Sequence, residues 1–254
     1  MPKSSSQPRL VERVYGSLLE AISSGALPPG TRLAQEWLAE RLKVSRQPVG
    51  QALALLKSQG FVCDVGRRGL MVAPLEVEFV KSIYAVRGAL DRLAARTAAM
   101  NLAADAQARA RPIRARPIRA RPIMEAGRRA LASGSVADLI AADIAFHGFI
   151  YELSGNAVIG DSMRLLWNRL RRVMSVYLEH SDWAENTWDE HDEILERILA
   201  RDAEGAESLA GAHVDNAIRL LGAELSEPRD DLRFLREPMP FSAQTQDKRT
   251  GTGP

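Results

Sequence analysis

The chain has four histidines, His147, His180, His191 and His213, and three of them stand in a pattern that suits metal chemistry. Asp143 and His147 are four residues apart and so share one face of a helix, beside Ile144, Phe146 and Ile150. His191 precedes Ile194, Leu195 and Ile198. His213 lies beyond a break near Asp202, with Leu209, Ile218 and Leu221 around it. Three histidines and one aspartate therefore fall on three helices, each beside an apolar stripe, which is how a bundle builds an internal site from facing helices. Imidazole with one carboxylate suits Zn²⁺, Ni²⁺, Mn²⁺ or Fe²⁺. A single histidine on such a stripe is more often a hydrogen-bonded core residue than a ligand, and spacing by itself leaves both readings open. A site of this kind serves a sensor, a structural metal that only holds a dimerisation bundle together, or a metalloenzyme. The last would need an open coordination position and a nearby acid or base. Glu152 and Glu190 are near in sequence, but no motif marks either as a catalyst, and no catalytic residue is assigned.

These residues need helices to carry them. From Leu75 to about Leu225 the pattern is helical, with segments near 76–100, 106–132, 136–153, 157–181, 185–201 and 203–225. Ser133-Gly134-Ser135 and Gly155-Asn156 separate some of them, and Asp202 is placed to cap the last. Short connections between six helices predict an antiparallel all-α bundle over 75–225. One stretch is anomalous. Arg109 to Ile123 is RARPI three times in tandem, with prolines at 112, 117 and 122 that should break or kink a helix. Five-residue steps rotate about 140° each, so the copies share no helix face. Six arginines in thirteen residues could form a nucleic-acid-binding arm. The plainer expectation is a tandem duplication that bulges out or lengthens a helix. Residues 1–8 and 226–254 lack periodicity and read as a disordered arm and tail.

Thr31 to Leu56 has a different character. It reads as two short helices joined by a turn at Lys43-Val44, the first carrying Leu33, Leu38 and Leu42. Ser45 is an N-cap type for the second, and Pro48 falls in its first turn, where a missing N–H costs nothing. Val49, Ala52, Leu53 and Leu56 make an apolar face, opposite Arg46, Gln47, Gly50, Gln51 and Lys57. An amphipathic helix precedes it, with Leu10, Val11, Val14, Tyr15, Leu18, Leu19 and Ile22 on one side. Two short apolar runs follow, Phe61-Val62 and Leu70-Met71-Val72, around the tip Val65-Gly66-Arg67-Arg68-Gly69. Residues 9–74 thus predict a winged helix-turn-helix, whose second helix enters the DNA major groove. The fold class is mainly α, with one small β hairpin.

The spaced motifs Gly25-Ala26-Leu27-Pro28-Pro29-Gly30-Thr31-Arg32-Leu33, Val44-Ser45-Arg46-Gln47-Pro48-Val49 with Ala52-Leu53, and Gly66-Arg67-Arg68-Gly69 resemble the DNA-binding domain of GntR-family bacterial transcription regulators. Asp143-Ile144-Ala145-Phe146-His147, Glu190-His191, and Asp202 with Ala206 and His213 resemble the helical FCD effector domain of the family's FadR-type branch. The resemblance implies a divalent metal held by Asp143, His147, His191 and His213. His180 matches no motif position and is left as a surface residue. Val86-Arg87-Gly88-Ala89-Leu90-Asp91 resembles the first helix of that domain and makes Arg87 a candidate for an effector carboxylate. It further implies a homodimer on double-stranded operator DNA, released by a small carboxylic acid in the manner of a repressor. Arg46, Gln47 and Gln51 would enter the groove, with Ser45 at the helix start. Arg32, Arg67 and Arg68 would hold phosphates or the minor groove. Gly50-Gln51 departs from the family's usual Arg-Glu, which alters the expected operator. Gln47 and Gln51 suit adenine, and Arg46 suits guanine.

Charge distribution agrees. Residues 1–75 hold ten Lys/Arg against five acids, a net of +5, in a chain whose total is +2, so the remainder carries −3. A basic N-terminal module on an acidic body fits a phosphate-facing part with a separate sensing part. The lone cysteine, Cys63, excludes an intrachain disulfide and reads as a small apolar residue of a strand. The first ten residues, MPKSSSQPRL, have no apolar signal core, and no run is long enough to span a membrane, so a cytoplasmic protein is expected.

Overall fold

The computed structural model describes residues 6–107, 115–178 and 184–226, apart from Arg68. Two compact units divide at Pro74, except that Leu19–Gly25 group with the second. In the first, helix α1 spans Ser6–Ser23, α2 Gln35–Leu42 and α3 Arg46–Ser58. Strands β1 (Val62–Val65) and β2 (Gly69–Val72) pair antiparallel, Val62 opposite Val72 and Val65 opposite Gly69. Val49, Ala52, Leu53 and Leu56 are completely buried, together with Val14, Leu18, Leu27, Leu33, Leu38 and Val72. The apolar stripe of α3 is therefore its packing face, and its polar residues are turned outward.

Three local details define this unit. Lys43 adopts the left-handed conformation (φ 53°), and its N–H bonds back to the last turn of α2. That single strained residue makes the sharp turn between α2 and α3. Ser45 occupies the N-cap position in extended conformation, but its side chain makes no capping hydrogen bond. The expected cap is thus present in backbone only. A third extended segment joins the hairpin: Leu33 N–H donates to the Leu70 carbonyl (2.8 Å), and Val72 N–H donates to that of Thr31 (2.9 Å). This pairing sets Arg32 opposite Met71 at the edge of the wing. Nothing in the hydrophobic pattern of 30–33 announces it, because backbone pairing at a sheet edge needs no apolar side chain.

Among the described residues the second unit holds six helices: α4 (Val77–Gln107), α5 (Ala115–Ser133), α6 (Val136–Ser154), α7 (Ala157–Tyr177), α8 (Ala184–Ala200) and α9 (Ala203–Ser226). Caps stop and start them where the sequence indicates. The Ser135 hydroxyl accepts from Asp138 N–H and the Asn156 side chain accepts from Val158 N–H. The Asp202 carboxylate accepts from Gly205 N–H at 2.9 Å. Gly155 ends α6 at φ 68°, a conformation glycine adopts without a Cβ clash. At about 1.5 Å per residue, the 31 residues of α4 extend for roughly 46 Å. Its buried Ala94, Ala95, Ala98 and Ala99 let neighbouring helices approach closely.

The repeat region corrects one expectation. Pro122 lies inside α5 and does not end it. Its copy, Arg119–Ile123, is built into the bundle: Ala120 is buried, and Arg119 pairs with Glu152 at 2.7 Å across to α6. The missing i→i−4 bond is outweighed by burial of Ala120 and Met124 in the core. Residues 108–114, with the first copy, lie outside the described residues, as do the arm residues 1–5 and the tail from 227. Further along α5, a Cβ at Gly127 would collide with the ring of Trp188, which is buried. Gly127→Ala is expected to lower stability by about 1–3 kcal/mol, the usual cost of overpacking, and a thermal melt of the variant checks this.

Candidate metal centre and nucleic-acid face

Asp143 and His147 stand one turn apart on α6, His191 enters from α8 and His213 from α9, all four buried. One ligand-type atom from each lies within 4.8 Å of all the others. The Asp143 Oδ1 atom is 3.6 Å from His147 Nε2 and 3.5 Å from His191 Nε2. Phe146 stacks on His191 with ring centroids 4.0 Å apart and closes one side. The tertiary structure thus brings together the four residues singled out from spacing.

Around them lies a shell that the spacing did not reveal. Glu190 Oε2 is 2.7 Å from His213 Nδ1, and its other oxygen accepts from Asn216 at 2.7 Å. Asp91 Oδ2 is 3.4 Å from His147 Nδ1, and its Oδ1 accepts from the Tyr151 hydroxyl at 2.6 Å. A carboxylate on Nδ1 keeps the proton there and turns the Nε2 lone pair inward, the arrangement of a ligating histidine. Two of these partners were legible at helical spacing, since Asp91 is four residues from Arg87 and Tyr151 four from His147. Their meeting across α4 and α6 was not.

Arg87 of α4 is buried to 1% exposure beside the cluster. Its Nε donates to Asp91 at 3.2 Å, and its Nη2 lies 3.4 Å from Asp143 Oδ2 and 2.6 Å from His147 Nε2. Its guanidinium also sits over the rings of Trp167 and Tyr84, at 5.4 and 5.8 Å. Burial pushes the His191 imidazole well below its ordinary value, reinforced by His213. Burial likewise lowers His213, against the opposing pull of Glu190. Both are therefore neutral at physiological pH, the form that binds metal. Burial and Arg87 act to lower His147, but Asp91 and Asp143 outweigh them and raise it. Burial alone would raise the Asp143 carboxyl, yet His147 and Arg87 hold it below the ordinary carboxylate range.

A cation fits this donor set by a direct criterion. Asp143 Oδ1 and both ring nitrogens of His191 are buried without a hydrogen-bond partner. Each such orphan costs roughly 1–3 kcal/mol in a dry interior unless something occupies its lone pair or proton. A divalent ion among three imidazoles and one carboxylate oxygen would answer that need at Asp143 Oδ1 and at one ring nitrogen of His191.

The other predicted residues lie in the first unit. Arg46, Gln47 and Gln51 are exposed on α3, Ser45 is exposed just before it, and Arg32 and Arg67 are exposed at the wing. Arg46 is paired with Glu36 of α2 at 2.9 Å, and Lys57 with Asp64 at 2.7 Å. Arg68 and His180 lie outside the described residues. No helix among the described residues is long and apolar enough to cross a membrane.

Comparison with known proteins agrees with this layout. Residues 82–216 match the FCD domain and residues 10–72 match the bacterial regulatory proteins of the gntR family. The uncharacterized HTH-type transcriptional regulator BphR of Paraburkholderia xenovorans strain LB400 is 27% identical over 212 residues, covering 84% of this chain and 85% of its own length. The HTH-type transcriptional repressor RspR of Escherichia coli K12 is 22% identical over 219 residues, covering 85% and 92%. Among solved structures, E. coli McbR/YncC superposes with a TM-score of 0.67 at 22% identity, over 85% of this chain and 98% of that one. A putative GntR regulator of Rhodococcus sp. RHA1 reaches 0.64 at 25% identity, over 84% and 98%. With a winged helix presenting its polar face and a helical domain in the FCD pattern, the chain belongs to the GntR family of DNA-binding transcription regulators.

Proposed function

We propose that the protein is a metabolite-responsive repressor that senses a small organic acid at a metal in its helical unit. The observation that carries this reading is the buried Asp143/His147/His191/His213 cluster beside Arg87, with lone pairs left unpartnered. A bound divalent ion (zinc, nickel, manganese or iron) would supply a Lewis-acidic position for a carboxylate oxygen. Arg87 would take the other end of that carboxylate.

Two copies would place their α3 helices on a palindromic operator. Arg46 would leave Glu36 for a base edge, Gln47 and Gln51 would read adenines, and Arg32, Arg67 and Arg68 would hold phosphates, with Ser45 beside them. Binding of the acid biases the arrangement of the two DNA-binding units, by no more than its differential affinity for the two arrangements. The cytoplasm is the compartment where such a regulator works.

The test is a thermal melt of the full chain against mono-, di- and hydroxycarboxylic acids and sugar acids, with metal and after chelation, followed by operator binding with any acid that shifts it. The expected result is one acid class that raises Tm only when metal is present and weakens operator binding. Metal stabilisation with no response to any acid would overturn the sensing reading in favour of a structural metal. Absence of any metal response would remove the site.

A further inference from the structure

Gly50 stands inside α3, where glycine is the poorest helix former after proline. Its backbone is ordinary helix, with no positive φ that would call for glycine. Arg46, Gly50 and Ala54 fall four apart and so share one line of the outward face, beside exposed Gln47 and Gln51. After Arg46 that line carries almost no side chain.

The start of α2 lies over the gap. A Cβ at Gly50 would have as its three nearest neighbours Oε1, Cδ and Nε2 of Gln35, at 3.4, 3.7 and 3.7 Å. The amide therefore lies across the glycine in van der Waals contact, and a side chain longer than alanine would push it away. The next residue, Glu36, reaches Arg46 at 2.9 Å, so the first turn of α2 follows the same line of α3. Gln35 is exposed, and among the described residues no hydrogen bond holds its amide. One acceptor oxygen and two N–H donors are left open at the surface.

We infer that Gln35 is a specificity-determining residue of operator recognition, whose amide reads a base edge across Gly50. The glycine makes room on α3, and the neighbouring helix supplies the side chain. Chemistry and place both favour a base over a phosphate. Arg and Lys answer the phosphate charge, whereas a neutral amide pairs its acceptor and donor with adenine N6 and N7. Residue 50 is the fifth of α3, in the N-terminal half of a recognition helix that meets base edges.

This inference rests on α3 as the groove-reading helix proposed above. The experiment selects operator half-sites from random duplexes with the full chain, as wild type and as Gln35→Ala and Gln35→Glu. Gln47→Ala reports on α3 itself. Gln35→Ala is expected to lose the adenine preference at one half-site position and to bind the wild-type site about 10-fold more weakly, with unchanged binding to random duplex. Gln35→Glu is expected to turn that preference to cytosine, because a carboxylate accepts from cytosine N4. Gln47→Ala should lose preference at a different position. All three variants should keep the wild-type circular dichroism, since both glutamines are exposed. A preference changed by Gln47→Ala but by neither Gln35 variant would overturn the role of Gln35 and leave α3 in the groove. An equal loss of affinity for every sequence in Gln35→Ala would overturn it too, since that marks a phosphate contact. No change of preference in any variant would overturn the groove assignment as well.

Discussion

His191→Phe is expected to abolish the metal-dependent rise in Tm while leaving the metal-free protein as stable as wild type, or more so. His191 is completely buried, and neither ring nitrogen has a hydrogen-bond partner. In the absence of metal these two atoms are a liability of roughly 1–3 kcal/mol each. Phenylalanine fills nearly the same space, keeps the stacking with Phe146, and removes both orphans. With metal present the balance reverses. Saturation at about a hundred times the dissociation constant stabilises by about 2.7 kcal/mol, which for a domain of this size is roughly 5–10 °C. Changes in the second shell alone typically cost 10–100-fold in metal affinity, so loss of a ligand should remove the shift at ordinary metal concentrations. Calorimetric melts with metal and with chelator measure both numbers on one sample. Retention of the full metal shift would show that the cluster is not the binding site. A large loss of metal-free stability would show that His191 is an ordinary hydrogen-bonded core residue.

Arg87→Met is expected to be the most destabilising single change in the helical unit, by about 3–5 kcal/mol without metal. Arg87 is the buried cation that Asp91 and Asp143 share, and methionine fills the space without the charge. Breaking a buried ion pair from one side strands the opposite charge, which costs more than the pair contributes when intact. Two controls sharpen the test. Arg87→Met combined with Asp91→Asn should recover part of the loss, because the stranded carboxylate is gone. Saturating metal should also recover part of it, because a divalent ion takes over the neutralisation of Asp143. The acid limb of stability shifts with the same variant. Burial alone would raise the Asp91 carboxyl, but His147, Arg87 and the Tyr151 hydroxyl together hold it at about 2. A carboxyl lowered in the folded state contributes stability above its unfolded value of 3.8, and that contribution is lost as pH falls toward 2. Without Arg87 the folded value rises, so acid unfolding of the variant should begin at higher pH. Urea melts across pH 2–6 read this directly. An unchanged acid limb would mean that Arg87 does not hold the carboxylates.

Much of the architecture was legible in the residues. Period-3.6 stripes located six helices of the second unit to within a few residues at most ends, and Ser135, Asn156 and Asp202 cap where their side-chain chemistry predicts. Helices are written locally, because each backbone bond joins residues four apart and each cap spans three. The i, i+4 pair Asp143–His147 and the apolar neighbours of His191 and His213 were readable for the same reason.

What the local pattern could not supply is everything decided by packing between distant segments. Gly127 looks like a weak helix residue until Trp188 is seen across it. Pro122 looks like a helix end until Ala120 and Met124 are seen buried on either side. The extended segment 30–33 becomes part of the wing only because β2 presents unpaired backbone groups to it. The shell of Asp91, Tyr151, Glu190 and Asn216 depends on which faces of α4, α6, α8 and α9 meet. By itself the sequence determined that a basic winged helix precedes an acidic helical bundle, and which four residues suit a metal. Only the tertiary structure decided that those four converge, that Arg87 stands among them, and that the Gln35 amide lies across Gly50. The reason is physical. Secondary structure is set by interactions a few residues long, whereas a binding site is set by the crossing of elements dozens of residues apart.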